Sequence, residues 1–395
     1  MRKVGSRQWA VGSGRRLARP RPLLLNGRSP LPAVLCLLLL LPTAHCLLPT
    51  AIAHCLLPTA SASGAWTKQR SGSLAWLHAV YFLDEKKGWA VGGKGALLVT
   101  EDGGETWRVN KRPTEDALRD VYFSDESNGW LVCERSIYDL KEKDEPRTYL
   151  LRTSDGGATW KLVNVIGKDV DARLVRALFT GDGRGWAFGE EGALYTTRDG
   201  GSNWERQRVP TRNLLLGGWF LNSEQGWLVG AGATLLQTID GGETWHPGTL
   251  INQAVASGNN GVASNASKEA RRVRFTATSF VDKKRGWAVG AEGRVFATTD
   301  GGRTWGPQDA NVEADLYDVK FLDALEGWAA GAGGTLIHTL DGGRHWTIAP
   351  TGTTHALERL CFVGRTRGWV VGFGGTIISY TPLASPPKQP VLKKT

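Results

Sequence analysis

The chain has 395 residues, among them Gly 51, Trp 17 and Met 1, and a formal net charge of +10. Eight Lys or Arg and no acid fall within residues 1–62, leaving 40 basic against 38 acidic residues, so the remainder lacks the basic excess that phosphate neutralisation requires and nucleic-acid binding is set aside. Long helical periodicity is absent, and a glycine- and tryptophan-rich chain of this kind points to an all-β protein with many tight turns, in which internal repeats are to be sought first.

The N-terminal segment reads as an export signal. Arg2, Lys3, Arg7, Arg15, Arg16, Arg19, Arg21 and Arg28 form a basic head, an apolar run follows at Ala33–Leu41, and small residues end at Ala60-Ser61-Ala62. Ala51-Ile52-Ala53 offers an earlier cleavage site, and the block AHCLLPTA occurs at 44–51 and again at 53–60. A retained anchor is the competing reading, because Ser29 to Thr67 carries no charge, but Pro30, Pro32, Pro42, Pro49 and Pro58 argue against one straight spanning helix. Arg15-Arg16 could be a twin-arginine mark, and the long acid-free head would also fit an organelle transit peptide joined to a second signal. His45-Cys46 and His54-Cys55 belong to the duplicated signal and leave with it, so no metal site is expected there. Cys133 and Cys361 remain, too few for a disulfide framework and in repeat units that are not neighbours, so free buried thiols are expected.

Beyond residue 62 the chain repeats. Trp89, Trp130, Trp186, Trp227, Trp287, Trp328 and Trp369 each follow Gly, with spacings of 41, 56, 41, 60, 41 and 41, and a Phe stands seven residues before each, from Phe82 to Phe362. Six units continue to Asp-Gly-Gly at Asp102, Asp155, Asp199, Asp240, Asp300 and Asp341, each followed five residues later by Trp. A 41-residue unit with four short apolar runs predicts one four-stranded antiparallel propeller blade. Strand A ends at the Phe, strand B carries Gly-Trp, strand C precedes the Asp turn, and strand D begins at the last Trp. In the turn, the carboxylate is expected to accept backbone N–H groups two or three residues on, while Gly supplies positive φ. Six equivalent aspartates therefore read as architecture rather than catalysis.

The seventh unit stops at Tyr380 without an Asp turn or strand D. Trp66 precedes Phe82 by 16 residues, the spacing of Trp107 to Phe123, so residues 66–72 read as an orphan strand D that completes the seventh blade and closes the ring. The expected layout is a cleaved export signal at 1–62, a seven-bladed β-propeller at 63–381 and a Pro/Lys-rich tail at 382–395.

Function on a repeat scaffold concentrates where the rhythm breaks. Blade 2 carries 12 extra residues within Glu134–Arg147, three more precede Phe179, and 19 lie around Asn252–Ala270. All fall in B–C or D–A connections and so on one face. That face should also carry Arg206, Arg208, Arg212, Arg271, Arg272 and Arg274, with Arg119, Arg176 and Arg359 starting A strands near the channel mouth. Arginine clusters suit carboxylate or acidic-segment recognition, against the plainer reading of solvated blade edges. Asn265-Ala266-Ser267 matches a glycosylation sequon and is treated as incidental.

With GWAVG…DGGxTW repeated through Trp66–Tyr380, the chain resembles the photosystem II stability/assembly factor family of seven-bladed propellers. The resemblance implies a lumenal protein that assists photosystem II assembly by binding a reaction-centre polypeptide through an arginine-rich patch. Arg176, Arg206, Arg208 and Arg212 are carried over as candidates for that contact. Similar propellers occur as exported proteins of non-photosynthetic bacteria, so the thylakoid lumen, the periplasm and secretion are all open. The leading expectation is a non-catalytic, cofactor-free scaffold that binds a protein partner. Its competitors are an envelope protein or glycan binder and an Asp-box glycoside hydrolase. Tyr81, Tyr122 and Tyr317 belong to repeat strands and no Arg-Ile-Pro entry motif is present, which weakens a sialidase reading; a paired-carboxylate hydrolase is harder to exclude.

Overall fold

The computed structural model describes residues 64–138, 140, 146–163, 165, 173–251 and 273–382. The export signal, the sequon and most of the three insertions lie outside these residues.

Each repeat folds as a four-stranded antiparallel sheet, giving seven blades. In blade 1 the strands are β2 (Leu77–Phe82), β3 (Gly88–Gly92), β4 (Leu97–Thr100) and β5 (Arg108–Val109), paired in that order. The strand that precedes them, β1 (Ala65–Gln69), pairs antiparallel with Ile377–Thr381 and supplies strand D of blade 7, with Trp66 opposite Tyr380. The ring is thus closed by the N-terminal strand, as the orphan Trp66 predicts.

One feature departs from the expected pattern. Thr249–Leu250, which leads into the 19-residue insertion, pairs in parallel with Thr304–Gln308 and adds a fifth strand to the outer edge of blade 5. Thr249 N–H donates to Arg303 O at 2.9 Å and Ile251 N–H to Trp305 O at 2.8 Å, covering an edge that would otherwise expose unpaired backbone.

The repeated aromatics build the joints between blades. The Phe that ends strand A stacks on the Gly-Trp ring of the preceding blade, as Phe123 does on Trp89 at 3.7 Å and 8°, and Phe321 on Trp287 at 3.5 Å and 5°. The Trp that follows the Asp turn meets the same Phe edge-on, as Trp160 meets Phe123 at 82°. Six of the seven joints are therefore Trp–Phe–Trp assemblies, the joint between blades 6 and 7 departing from them, and the buried apolar residues fall into seven clusters, one between each pair of neighbouring blades. The glycine before each strand-B Trp follows from this packing: a Cβ on Gly88 would sit 2.5 Å from the Phe82 ring.

The Asp turn differs in detail from expectation. The Asp102 carboxylate takes the N–H of Thr106, four residues on, at 2.9 Å. The nearer N–H, that of Gly104, goes instead to Thr100 Oγ1 at 2.8 Å, and the same hydroxyl donates to Asp102 Oδ1. Gly103 and Gly104 take φ of 76° and 88°, which turns the chain tightly enough to bring Thr106 back to the carboxylate. The expected bond three residues on does occur at Asp199, whose Oδ1 accepts Ser202 N–H at 2.9 Å, and in the A–B turns, where Asp84 Oδ1 accepts the N–H groups of Lys86 and Lys87 at 2.7 Å.

Cys133 is buried and Cys361 half-buried, and both are free thiols.

Candidate functional site

The connections sort onto two faces by their hydrogen bonds. In blade 1 the B–C turn donates from Gly93 N–H to Trp76 O and from Gly95 N–H to Asp116 O, joining the D–A connections on either side of it. On the opposite face Gly103 N–H of the Asp turn donates to Lys86 O of the A–B turn. B–C and D–A segments thus share one face, the face to which strand order assigns the insertions.

On that face blade 2 lengthens its B–C hairpin by two pairs, Cys133 opposite Tyr149 and Glu134 opposite Thr148, and Arg135 N–H donates to Arg147 O at the start of the insertion. This places Glu134 at the meeting point of three arginines from three elements. Arg119 Nε lies at 2.5 Å, Arg173 Nε at 2.8 Å and Arg147 Nη2 at 2.9 Å from its carboxylate. Arg147 and Arg173 also reach Glu190 at 3.8 and 3.9 Å. Burial pushes the Glu134 carboxyl up, but Arg119 and Arg173 outweigh it and hold the group below its ordinary range. His78, 3.0 Å from Arg119 Nη1, is driven down to about 4 by burial and by that guanidinium, so it is neutral at pH 7. This cluster sets three guanidiniums against two carboxylates. It orders the rim of blades 2 and 3, and each of its arginines already has a carboxylate partner. Residue order alone does not reveal it, because Glu134, Arg147 and Arg173 come from a loop end and two different blades.

The sequence candidates separate into three places. Arg206, Arg208 and Arg212 are exposed and line one shallow groove of about 450 Å³ with Glu191, Val209 and Thr211. Arg206 is anchored by its strand, which pairs with Tyr195, and Gln207 N–H donates to Leu194 O. Among the described residues none of the three arginines has a carboxylate within ion-pair distance. Arg274 is also exposed but starts strand A of blade 5, apart from this groove. Arg176 is not a surface residue: its side chain is 14% exposed and lies in the central channel, 3.7 Å from Asp120. Arg271 and Arg272 lie outside the described residues. Among the described residues no group of three or more His, Cys, Asp or Glu is arranged to hold a metal.

The family model for the photosynthesis system II assembly factor YCF48 matches at residues 58–134, 107–212, 202–267, 263–348 and 313–381. No curated protein matches the chain. Among solved structures, YCF48 bound to a D1 peptide superposes with a TM-score of 0.62 at 21% identity, over 82% of this chain and 99% of that one. YCF48 from Cyanidioschyzon merolae gives a TM-score of 0.62 at 20% identity, over 80% and 99%. The GH74 xyloglucanase from Xanthomonas campestris gives 0.57 at 14% identity, over 82% of this chain and 55% of that one. At these identities the superpositions speak for the fold.

Proposed function

The chain belongs to the photosynthesis system II assembly factor YCF48 family, and from that premise we propose that it is an extracytoplasmic, non-catalytic scaffold that captures a protein segment on its insertion-bearing face. The observation that carries this reading is the groove of Arg206, Arg208 and Arg212, three exposed guanidiniums without an ion-pair partner among the described residues, on a rim where Arg119, Arg147 and Arg173 are engaged by Glu134. Guanidinium groups so placed suit bidentate capture of carboxylates. A solved relative holds a D1 peptide, which makes a photosystem II reaction-centre polypeptide the partner of choice where the host is photosynthetic. The thylakoid lumen is the compartment in that case, and the periplasm in a bacterium. Arg274 is proposed as a second, separate contact.

The test is capture of a synthetic D1 peptide by the purified protein. Arg206→Glu with Arg208→Glu should reduce affinity at least tenfold while the unfolding midpoint stays in place. Unchanged capture would remove the groove from the mechanism, and capture of neither D1 peptide nor any acidic peptide by the parent protein would remove the reading itself.

A further inference from the structure

The central channel holds a second constellation, separate from the surface groove. A cavity of about 370 Å³ lies on the axis, lined by the last four residues of A strands. Its charged members are Asp120, Arg176, Asp318, Lys320 and Arg359.

The two acids are already committed. Asp318 Oδ2 accepts Leu360 N–H of the next blade at 2.9 Å, and Asp120 accepts backbone N–H groups of Val121 and of Ala177 in the blade after it. Arg176 faces Asp120 at 3.7 Å and also acts on Asp318. Two cations are then left over. Lys320 Nζ lies 3.9 Å from the Trp219 ring centroid and has no ion pair or hydrogen bond among the described residues. Arg359 likewise has no ion pair, and its Nε is buried without an acceptor. Buried donors left unpaired are costly, and a charged one more so. With Lys320 protonated, three cations against two acids leave an excess of one positive charge; burial pulls the Lys320 ammonium's pKa down, and a bound carboxylate would push it back up. The rest of the wall is organic in character, with Tyr81, Tyr122, Trp219 and Leu178 around the charges.

We propose that this channel cavity binds a small monocarboxylate with an aromatic or aliphatic body, its carboxylate held by Lys320 and Arg359 and its body lying against Trp219 and the tyrosines. The volume falls in the range of small-molecule sites and exceeds what a bare inorganic anion needs. The single surplus charge selects a monoanion. Cation–π contact with Trp219 leaves the ammonium's remaining N–H donors free to meet a carboxylate. Tyr81 and Tyr122 remain protonated because burial raises both phenols, so their hydroxyls can donate as well as accept.

The experiment is isothermal titration of the purified protein with benzoate and with hexanoate, beside benzamide and inorganic phosphate. One-to-one binding of benzoate or hexanoate, with benzamide silent and phosphate at least tenfold weaker, is expected. Lys320→Met, close in volume, should weaken binding at least tenfold, and Arg359→Gln serves as the second variant if the first does not fold. The Arg206→Glu, Arg208→Glu protein should bind benzoate as the parent does, which separates this site from the surface groove. Absence of heat with both carboxylates, or unchanged affinity in a folded Lys320→Met or Arg359→Gln protein, would overturn the assignment. Equal binding of phosphate would overturn the monocarboxylate class.

Discussion

The ring of Phe82, in the first blade, lies flat on that of Trp369, in the last, with centroids 3.5 Å apart and planes 9° from parallel. Trp369 Nε1 donates to Gly103 O of the first blade's Asp turn at 2.9 Å, as Trp287 does to Gly342 O inside the ring. Closure between first and last blades is therefore equivalent to an interior joint. The irregular joint is one step back, between blades 6 and 7. Phe362 stands 6.2 Å from Trp328, and His338 stacks on Trp328 at 3.8 Å. Blade 7 has no Asp turn to offer a carbonyl, and Trp328 Nε1 and Trp66 Nε1 are both buried without a partner.

The first prediction concerns that closing strand. Trp66 touches Trp328, Tyr380 and Phe362 at 5.3, 5.3 and 6.0 Å between centroids. Trp66→Ala should cost about 3–5 kcal/mol in denaturant unfolding, as for other buried aromatics. Removing residues 64–72 should lower the unfolding midpoint further, because it also exposes the edge of Ile377–Thr381. An unchanged midpoint would refute ring closure by this strand.

A second prediction separates stacking from hydrogen bonding. Trp186 stacks on Phe220 at 3.5 Å and donates to Gly241 O, whereas Trp89 stacks on Phe123 at 3.7 Å with its Nε1 unpaired. Trp186→Phe should therefore destabilise by about 1 kcal/mol more than Trp89→Phe, the net worth of one hydrogen bond. Equal losses would show that the indole N–H contributes nothing to the joint.

Acid should act on the Asp turns together. Hydrogen bonds from the Thr159 hydroxyl and N–H and from Thr153 hold Asp155 at about 2. At Asp102 burial pushes the carboxyl up, but bonds from Thr106 and Thr100 outweigh it, and the result is again about 2. A carboxyl depressed in the folded state contributes stability that is complete above its unfolded pKa and is lost as pH falls through the folded value. Stability should thus drop between pH about 4 and about 2. Asp155→Asn should shrink that drop in unfolding curves taken across this window.

Asp120 should act with the opposite sign. Burial raises its carboxyl to about 6 against the pull of Arg176. A carboxyl raised on folding contributes stability that is complete below its unfolded pKa and is lost as pH rises through the folded value. Asp120 therefore favours the fold at low pH and ceases to do so above pH about 6. Asp120→Asn should flatten the slope of stability between pH about 4 and about 6, and an unaltered slope would refute the assignment.

At the rim, Glu134→Ala should cost about 3–5 kcal/mol, because it leaves Arg119, Arg147 and Arg173 facing one another without their shared carboxylate. Denaturant unfolding of the variant measures this directly, and a loss below about 1 kcal/mol would show that solvent screens the cluster.

The propeller was legible because its joints repeat in register. The Phe-to-Trp interval of seven residues and the Asp-to-Trp interval of five recur because six of the seven joints use the same Trp–Phe–Trp assembly. Even the missing strand could be located, since Trp66 keeps the 16-residue interval to Phe82. The threonine two residues before each Asp went unread, although its hydroxyl closes the turn at Thr100, Thr153, Thr197, Thr238, Thr298 and Thr339.

The candidate site was legible only in part. Arg206, Arg208 and Arg212 lie within seven residues of one another, so sequence alone could place them on one groove. The fates of Arg119, Arg173 and Arg176 depended on partners elsewhere: Glu134 from another strand, and Asp120 from the neighbouring blade. Local periodicity and turn chemistry act over a few residues and are written into the chain, so the sequence by itself determined the blade, the number of blades and the strand that closes them. Charge neutralisation acts through space, between groups brought together only when the ring closes. The tertiary structure therefore decided which arginines are spent on internal carboxylates, which stay free at the surface, and that Lys320 and Arg359 line one channel cavity.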